Sequence, residues 1–189
     1  MSSRLKLTLA AVLAGAAVAA GLLVTRGDAS RDIATLSNRG GPAVAIRGLR
    51  TKLAPITTGN VLAVRHGRAL YRLRTTDGTP CFGVGPANDL GSPGSVVCPR
   101  GGFPSSGSPL LDFSVYEGSS HEVREFSLFR IEGFAADGVA AVEFFRPNGD
   151  VALRVPVSRN VYSAATVPKG PIAGLAAVDR DGKRLWRSP

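Results

Sequence analysis

Residues 147–157 read Pro147-Asn148-Gly149-Asp150-Val151-Ala152-Leu153-Arg154-Val155-Pro156-Val157. The first four are a turn signal, because Asn-Gly tolerates positive φ. After them Val151, Leu153, Val155 and Val157 alternate with Ala152, Arg154 and Pro156. Period two with a charge on the second face describes a half-buried strand. Upstream, Val139 to Phe145 is a second strand that enters the same turn.

The pattern repeats outward in both directions. Downstream, Val161 to Thr166 and Ile172 to Val178 are apolar runs. Asp179-Arg180-Asp181-Gly182 then turns the chain into Lys183 to Trp186. Upstream, Val61 to Arg65 and Arg68 to Arg74 flank His66-Gly67, a two-residue hairpin link. Thr76-Asp77-Gly78-Thr79 is another turn, followed by Cys81 to Val84. Leu110 to Tyr116 and Phe126 to Ile131 are further strands, and Gly/Ser/Pro-rich residues 99–109 separate two of these blocks. Helical periodicity is absent from Ala43 onward. Short strands with turns every ten residues or so predict an all-β fold, an antiparallel β-sandwich or a partly open barrel. An N-terminal membrane or signal helix precedes it.

That helix is read from residues 1–26. Arg4 and Lys6 precede an apolar run from Leu7 to Val24, closed by Thr25-Arg26. The run lies between a signal-peptide core and a spanning helix in length. Cleavage sites of small-x-small type fall after Ala19 and after Ala29. The first leaves an apolar end, and the second stands far from the apolar core. The balance favours a single-pass anchor over a secreted product. The basic start stays in the cytoplasm, so the remainder lies outside. The expected organisation is a leader or anchor over 1–26, a tether over 27–42 and an extracytoplasmic β-domain over 43–189. Ser30 to Leu36 is expected to form one or two helical turns before Asn38-Arg39-Gly40-Gly41-Pro42 ends them.

Export bears on the cysteines. Cys81 and Cys98 are the two in the chain, and an oxidising compartment pairs thiols. A disulfide is expected, closing a glycine- and proline-rich loop with little regular structure. A zinc site would need four ligands, and the two histidines, His66 and His121, have no ligand-like spacing. No metal or cofactor is expected.

Charge is uneven. Without Arg4, Lys6 and Arg26 the chain keeps 20 basic and 14 acidic residues. Nine basic residues and one acid, Asp32, fall between Arg31 and Arg74, so the excess sits in the first strands. Arg65, Arg68, Arg72 and Arg74 are therefore the candidate face for an anionic partner, a phospholipid surface or a cell-wall polymer. The bland reading is a solvated face neutralised by neighbouring acidic strands. Nucleic acid is a poor partner, since the chain is exported and the basic stretch has few aromatics for stacking.

No catalytic residue is assigned. Ser119-Ser120-His121-Glu122 places a hydroxyl, an imidazole and a carboxylate in a row, but neighbours on an extended chain point to opposite faces. A triad needs convergence, so this reads as a polar loop. Asp179-Arg180-Asp181-Gly182 opens like a calcium loop, lacks the later ligands, and reads as a hairpin turn.

Gly133 to Val142, then Asn148-Gly149-Asp150, then Val157-Ser158-Arg159-Asn160-Val161-Tyr162 form a pattern that resembles uncharacterised exported proteins of high-GC Gram-positive bacteria. The resemblance covers about residues 130–187. It implies a small β-domain and carries no activity or catalytic residue. In it, Asn160 is expected to bond backbone at a strand entry and Tyr162 to plug a core edge. The reading that results is an envelope binding or interaction module, attached to the membrane by the N-terminal helix, with an anionic envelope component or another envelope protein as its partner. The other reading is an envelope hydrolase with dispersed catalytic residues.

Overall fold

A computed structural model describes residues 35–50, 54–117 and 126–188. The expected N-terminal helix and the Ser119–Glu122 stretch lie outside these residues. The described chain is all-β and antiparallel, with no helix.

The first sheet is β1 (Ala43–Arg50), β2 (Pro55–Arg65), β3 (Arg68–Thr75), β4 (Pro80–Pro86) and β5 (Ser95–Val97), in that order. His66 and Gly67 take φ of 48° and 73° in the β2–β3 turn, the positive pair that a tight hairpin requires. β5 pairs with Phe82–Val84, so the loop between the cysteines holds a strand that its glycine content hides. The disulfide is present. It joins Cys81 on β4 to Cys98 just beyond β5.

The rest of the chain supplies β6 (Leu110–Asp112), β7 (Val115–Glu117), β8 (Phe126–Ala135), β9 (Ala141–Phe145), β10 (Val151–Pro156), β11 (Val161–Ala164), β12 (Pro171–Ile172), β13 (Gly174–Val178) and β14 (Arg184–Arg187). β8 is the axis of one sheet, paired with β6, β7, β11 and β12. The other sheet runs β10-β9-β13-β14. The expected turn at Asn148-Gly149 joins β9 to β10, with Gly149 at φ 88°. A register shift between Val151 and Leu153 breaks the expected alternation. Ala152 and Leu153 both pack on the core, and Val151 is left exposed.

Three apolar clusters hold these sheets. Ile131, Ala135 and Tyr162 from the β8 sheet meet Val142, Phe144, Val155 and Ala177 from the β9 sheet. The other face of β8 presents Phe134, which with Val161 meets Leu62, Leu70, Phe82 and Val84 of the first sheet. A strand buried on both faces therefore ties the two halves together. On the far side of the first sheet, Ile46, Ile56, Ala69, Tyr71, Leu73 and Cys81 form a third cluster. The Arg47 N–H donates to Gly91 O at 2.9 Å. This bond curls β1 toward the β4–β5 connection and over that cluster. Each large apolar side chain fully buried here contributes about 1.5–3 kcal/mol.

Thr35 to Gly40 have no regular secondary structure, so the expected helical turn is absent from the described part of that segment. They dock on the body, with Leu36 buried against Leu62 and Leu70.

Candidate anion-binding groove

Strand alternation puts Arg68, Leu70, Arg72 and Arg74 on one face of β3, while Ala69, Tyr71 and Leu73 fill the opposite cluster. At Leu70 this face is covered by Leu36, Phe103 and Phe134. Beyond it the cover ends. Arg72 lies opposite Asn60 and Phe82, and Arg74 opposite Thr58 and Pro80. A groove of about 410 Å³ opens there, with Arg39, Gly40 and Gly41 among its lining residues.

The segment carrying Arg39 is fixed from both sides. The Asn38 side chain donates to Arg159 O at 2.5 Å and accepts from the Gly40 N–H at 2.9 Å. The Gly41 N–H donates to Val61 O at 2.9 Å, and Asn60 Nδ2 donates back to Gly41 O at 2.8 Å. Gly40 has φ 80°, and a Cβ there would lie 2.8 Å from Val61 O. Only glycine permits that conformation at that approach. Arg39 is thus held between two anchored neighbours beside the groove.

The electrostatics are one-sided. Among the described residues the ion pairs are Arg47–Asp89, Arg68–Glu132, Arg130–Glu132, Arg154–Glu143 and Arg184–Glu143. None includes Arg39, Arg72 or Arg74. Arg72 Nη1 is shielded from solvent and has no hydrogen-bond partner among the described residues. Burial, followed by the repulsion of Arg39 and Arg74, holds the Arg72 guanidinium below its ordinary pKa. It remains a cation at neutral pH. Among the described residues Arg74 Nη1 donates to the Gly78 carbonyl, at 3.4 Å. The groove is thus lined by three arginines, none of them paired with a carboxylate among the described residues.

The four arginines expected to share one face are divided. Arg72 and Arg74 line the groove. Arg68 leaves it to approach Glu132, with Nε 3.3 Å from Oε2. That carboxylate is fully buried and also lies 2.8 Å from Arg130 Nε. Arg65 sits at the hairpin tip, its Nη1 donating to Val64 O at 3.1 Å. Along β3, Arg68 and Arg72 are about 13 Å apart at the usual strand rise, with buried Leu70 between them. The residue that replaces them in the groove, Arg39, belongs to the segment expected to be a tether. Its flanking Asn38 and Gly40-Gly41 are the sequence signal of a fixed turn.

Other candidate residues take structural positions. Asp179 Oδ1 accepts from the Asp181 and Lys183 N–H groups, so that sequence closes the β13–β14 hairpin. Asn160 Nδ2 donates to Ala135 O and Asp137 Oδ1. The Tyr162 hydroxyl lies 2.8 Å from Asp112 Oδ1 with its ring buried. Among the described residues no group of three or more His, Cys, Asp or Glu is placed to hold a metal ion. No family model, curated protein or solved structure matches the chain.

Proposed function

We propose that this protein is an exported binding module of the cell envelope that engages an anionic partner through the groove of Arg39, Arg72 and Arg74. The observation that carries the reading is three arginines lining one groove, one with a buried N–H that has no partner among the described residues, and none of them in an ion pair there. An unpaired buried donor costs about 1–3 kcal/mol, and repulsion among like charges adds to that. A fold retains such an arrangement where a ligand offsets it.

Export is supported by the basic and apolar residues 1–26. The disulfide fits an oxidising compartment. If the leader remains as an anchor, thirteen positions separate Arg26 from Arg39. A chain of that length spans at most about 45 Å, which keeps the groove near the membrane surface. We read the first sheet as a partly open barrel and the β8 and β9 sheets as a sandwich. The curl at Arg47 and the apolar cluster between β8 and β9 support this.

The test is co-sedimentation of the full-length protein, in mild detergent, with isolated cell envelope at rising salt. Retention should fall as salt screens the groove, and should fall at low salt in the double variant Arg72→Ala/Arg74→Ala. Retention that neither salt nor the double variant reduces would refute the reading.

A further inference from the structure

Resting on the groove as the binding face, we propose that it recognises a phosphomonoester carried on a polyol or sugar. Three features select this class.

The first is charge and direction. Arg72 and Arg74 are two positions apart on one face of β3, about 7 Å along the strand. Arg39 approaches from a separate segment. The three cations therefore come from two separate elements. A carboxylate has two oxygens in one plane and suits a single fork. A phosphomonoester presents three acceptor oxygens and a charge of about −1.5 to −2, which matches three cations in number of acceptors and in charge.

The second feature is size. The groove, about 410 Å³, falls in the range of small-molecule sites, roughly 300–1,000 Å³. It exceeds what a bare phosphate fills, so there is room for the group the phosphate is attached to.

The third is the neutral rim. Thr58 and Asn60 stand opposite Arg74 and Arg72 on β2. Asn60 Nδ2 is committed to Gly41 O, and Oδ1 has no partner among the described residues. That oxygen and the Thr58 hydroxyl suit the hydroxyl groups of a polyol or sugar. The clamped backbone at Asn38 and Gly40-Gly41 means little ordering is left for the ligand to drive.

The same chemistry occurs on a soluble sugar phosphate and on a lipid headgroup, and the experiment separates them. The full-length protein in detergent is titrated calorimetrically with glycerol 3-phosphate, glucose 6-phosphate, succinate and polyaspartate. A parallel flotation assay uses phosphatidylcholine vesicles with and without phosphatidic acid. Glycerol 3-phosphate or glucose 6-phosphate should bind saturably, with succinate at least about tenfold weaker. Arg74→Ala, at an exposed position, and Arg72→Met should each weaken binding by about ten- to a hundredfold while melting as folded proteins. Binding confined to vesicles that contain phosphatidic acid, and lost in both variants, would also support the assignment and make the headgroup the source. Succinate or polyaspartate binding as tightly as the phosphates would overturn the phosphomonoester assignment and leave the groove an anion face. If no anion binds, or if folded variants bind unchanged, both the assignment and the reading beneath it fail.

Discussion

The Asn38 backbone N–H donates to the Asn160 side-chain oxygen at 2.9 Å, across 122 positions of sequence. Asn160 takes φ 63° and is buried. Its amide nitrogen serves Ala135 O and Asp137 Oδ1. Asp137 in turn accepts from Thr35 Oγ1, the Ser37 N–H and Ser37 Oγ, at 2.8, 3.1 and 2.8 Å. The segment that delivers Arg39 to a groove on the first sheet is therefore fastened by residues of the second half of the chain. The groove depends on both halves.

Asp137 makes that fastening sensitive to acid. Burial opposes its ionisation, but hydrogen bonds from Asn160, Ser37 and Thr35 outweigh it and hold the carboxyl below the usual carboxylate range. A depressed folded pKa contributes stability that is present above the unfolded value, near 3.9. It is lost as pH falls through the folded value. Asp137→Asn should cost about 1–2 kcal/mol at neutral pH, allowing for partial exposure. It should also weaken groove binding by loosening Arg39. Urea midpoints at neutral pH and at about pH 3 measure this. Wild type should lose more between the two than the variant, and equal losses would sink the idea.

Removing the disulfide should cost about 3 kcal/mol in the chain-entropy model, given a sequence separation of 17 between Cys81 and Cys98. Cys81 is fully buried among Ile56, Tyr71 and Leu73. The oxidised protein should take up no maleimide in denaturant, and the reduced protein should take up two. Urea unfolding with and without reductant gives the difference. An unchanged midpoint would show that β4 and β5 hold their register without the bridge.

Gly133→Ala should be among the most damaging small substitutions. A Cβ at Gly133 would lie 2.3 Å from the Tyr162 hydroxyl oxygen and 2.7 Å from Leu111 O. The backbone contact cannot give way without parting β6 from β8. The ring contact pushes Tyr162 from its place beside Asp112. Overpacking of this kind costs about 1–3 kcal/mol, and loss of the tyrosine contact adds to it. Thermal melting of Gly133→Ala beside Tyr162→Phe separates the two causes. A small loss in Tyr162→Phe with a large one in Gly133→Ala assigns the damage to packing.

The fold class was legible because alternation and turn residues are local. His66-Gly67, Asn148-Gly149 and Asp179 to Gly182 each specify a turn within four residues. Which strands meet was not legible, since Phe134 and Leu70 find each other through tertiary packing that no local period encodes. The groove was half legible for the same reason. Arg72 and Arg74 share a face by period two, so their grouping follows from β3 alone. Arg68 obeys the same period, yet it belongs to Glu132, which lies 64 positions away. Arg39 reads as part of a linker until Asn160 and Val61 fix it from elsewhere. β5 is hidden because three residues set among glycines and prolines are too few to show a period.

The sharpest test of the groove sets stability against binding. Arg72 carries a buried Nη1 with no partner among the described residues, and its charge is opposed by Arg39 and Arg74. Methionine has a similar unbranched stem and fills the same space without a donor or a charge. Arg72→Met should therefore raise the stability of the unliganded protein by about 1 kcal/mol, the lower end of the cost of an unsatisfied buried donor. It should do so while reducing anion binding. A purely structural arginine predicts the reverse, lower stability with binding untouched. Thermal melting in salt-free and high-salt buffer completes the test. The stabilising effect of the substitution should shrink as salt screens the repulsion among the three arginines. A variant that is less stable than wild type in both buffers, and binds phosphate as well, would remove the groove from consideration as a site.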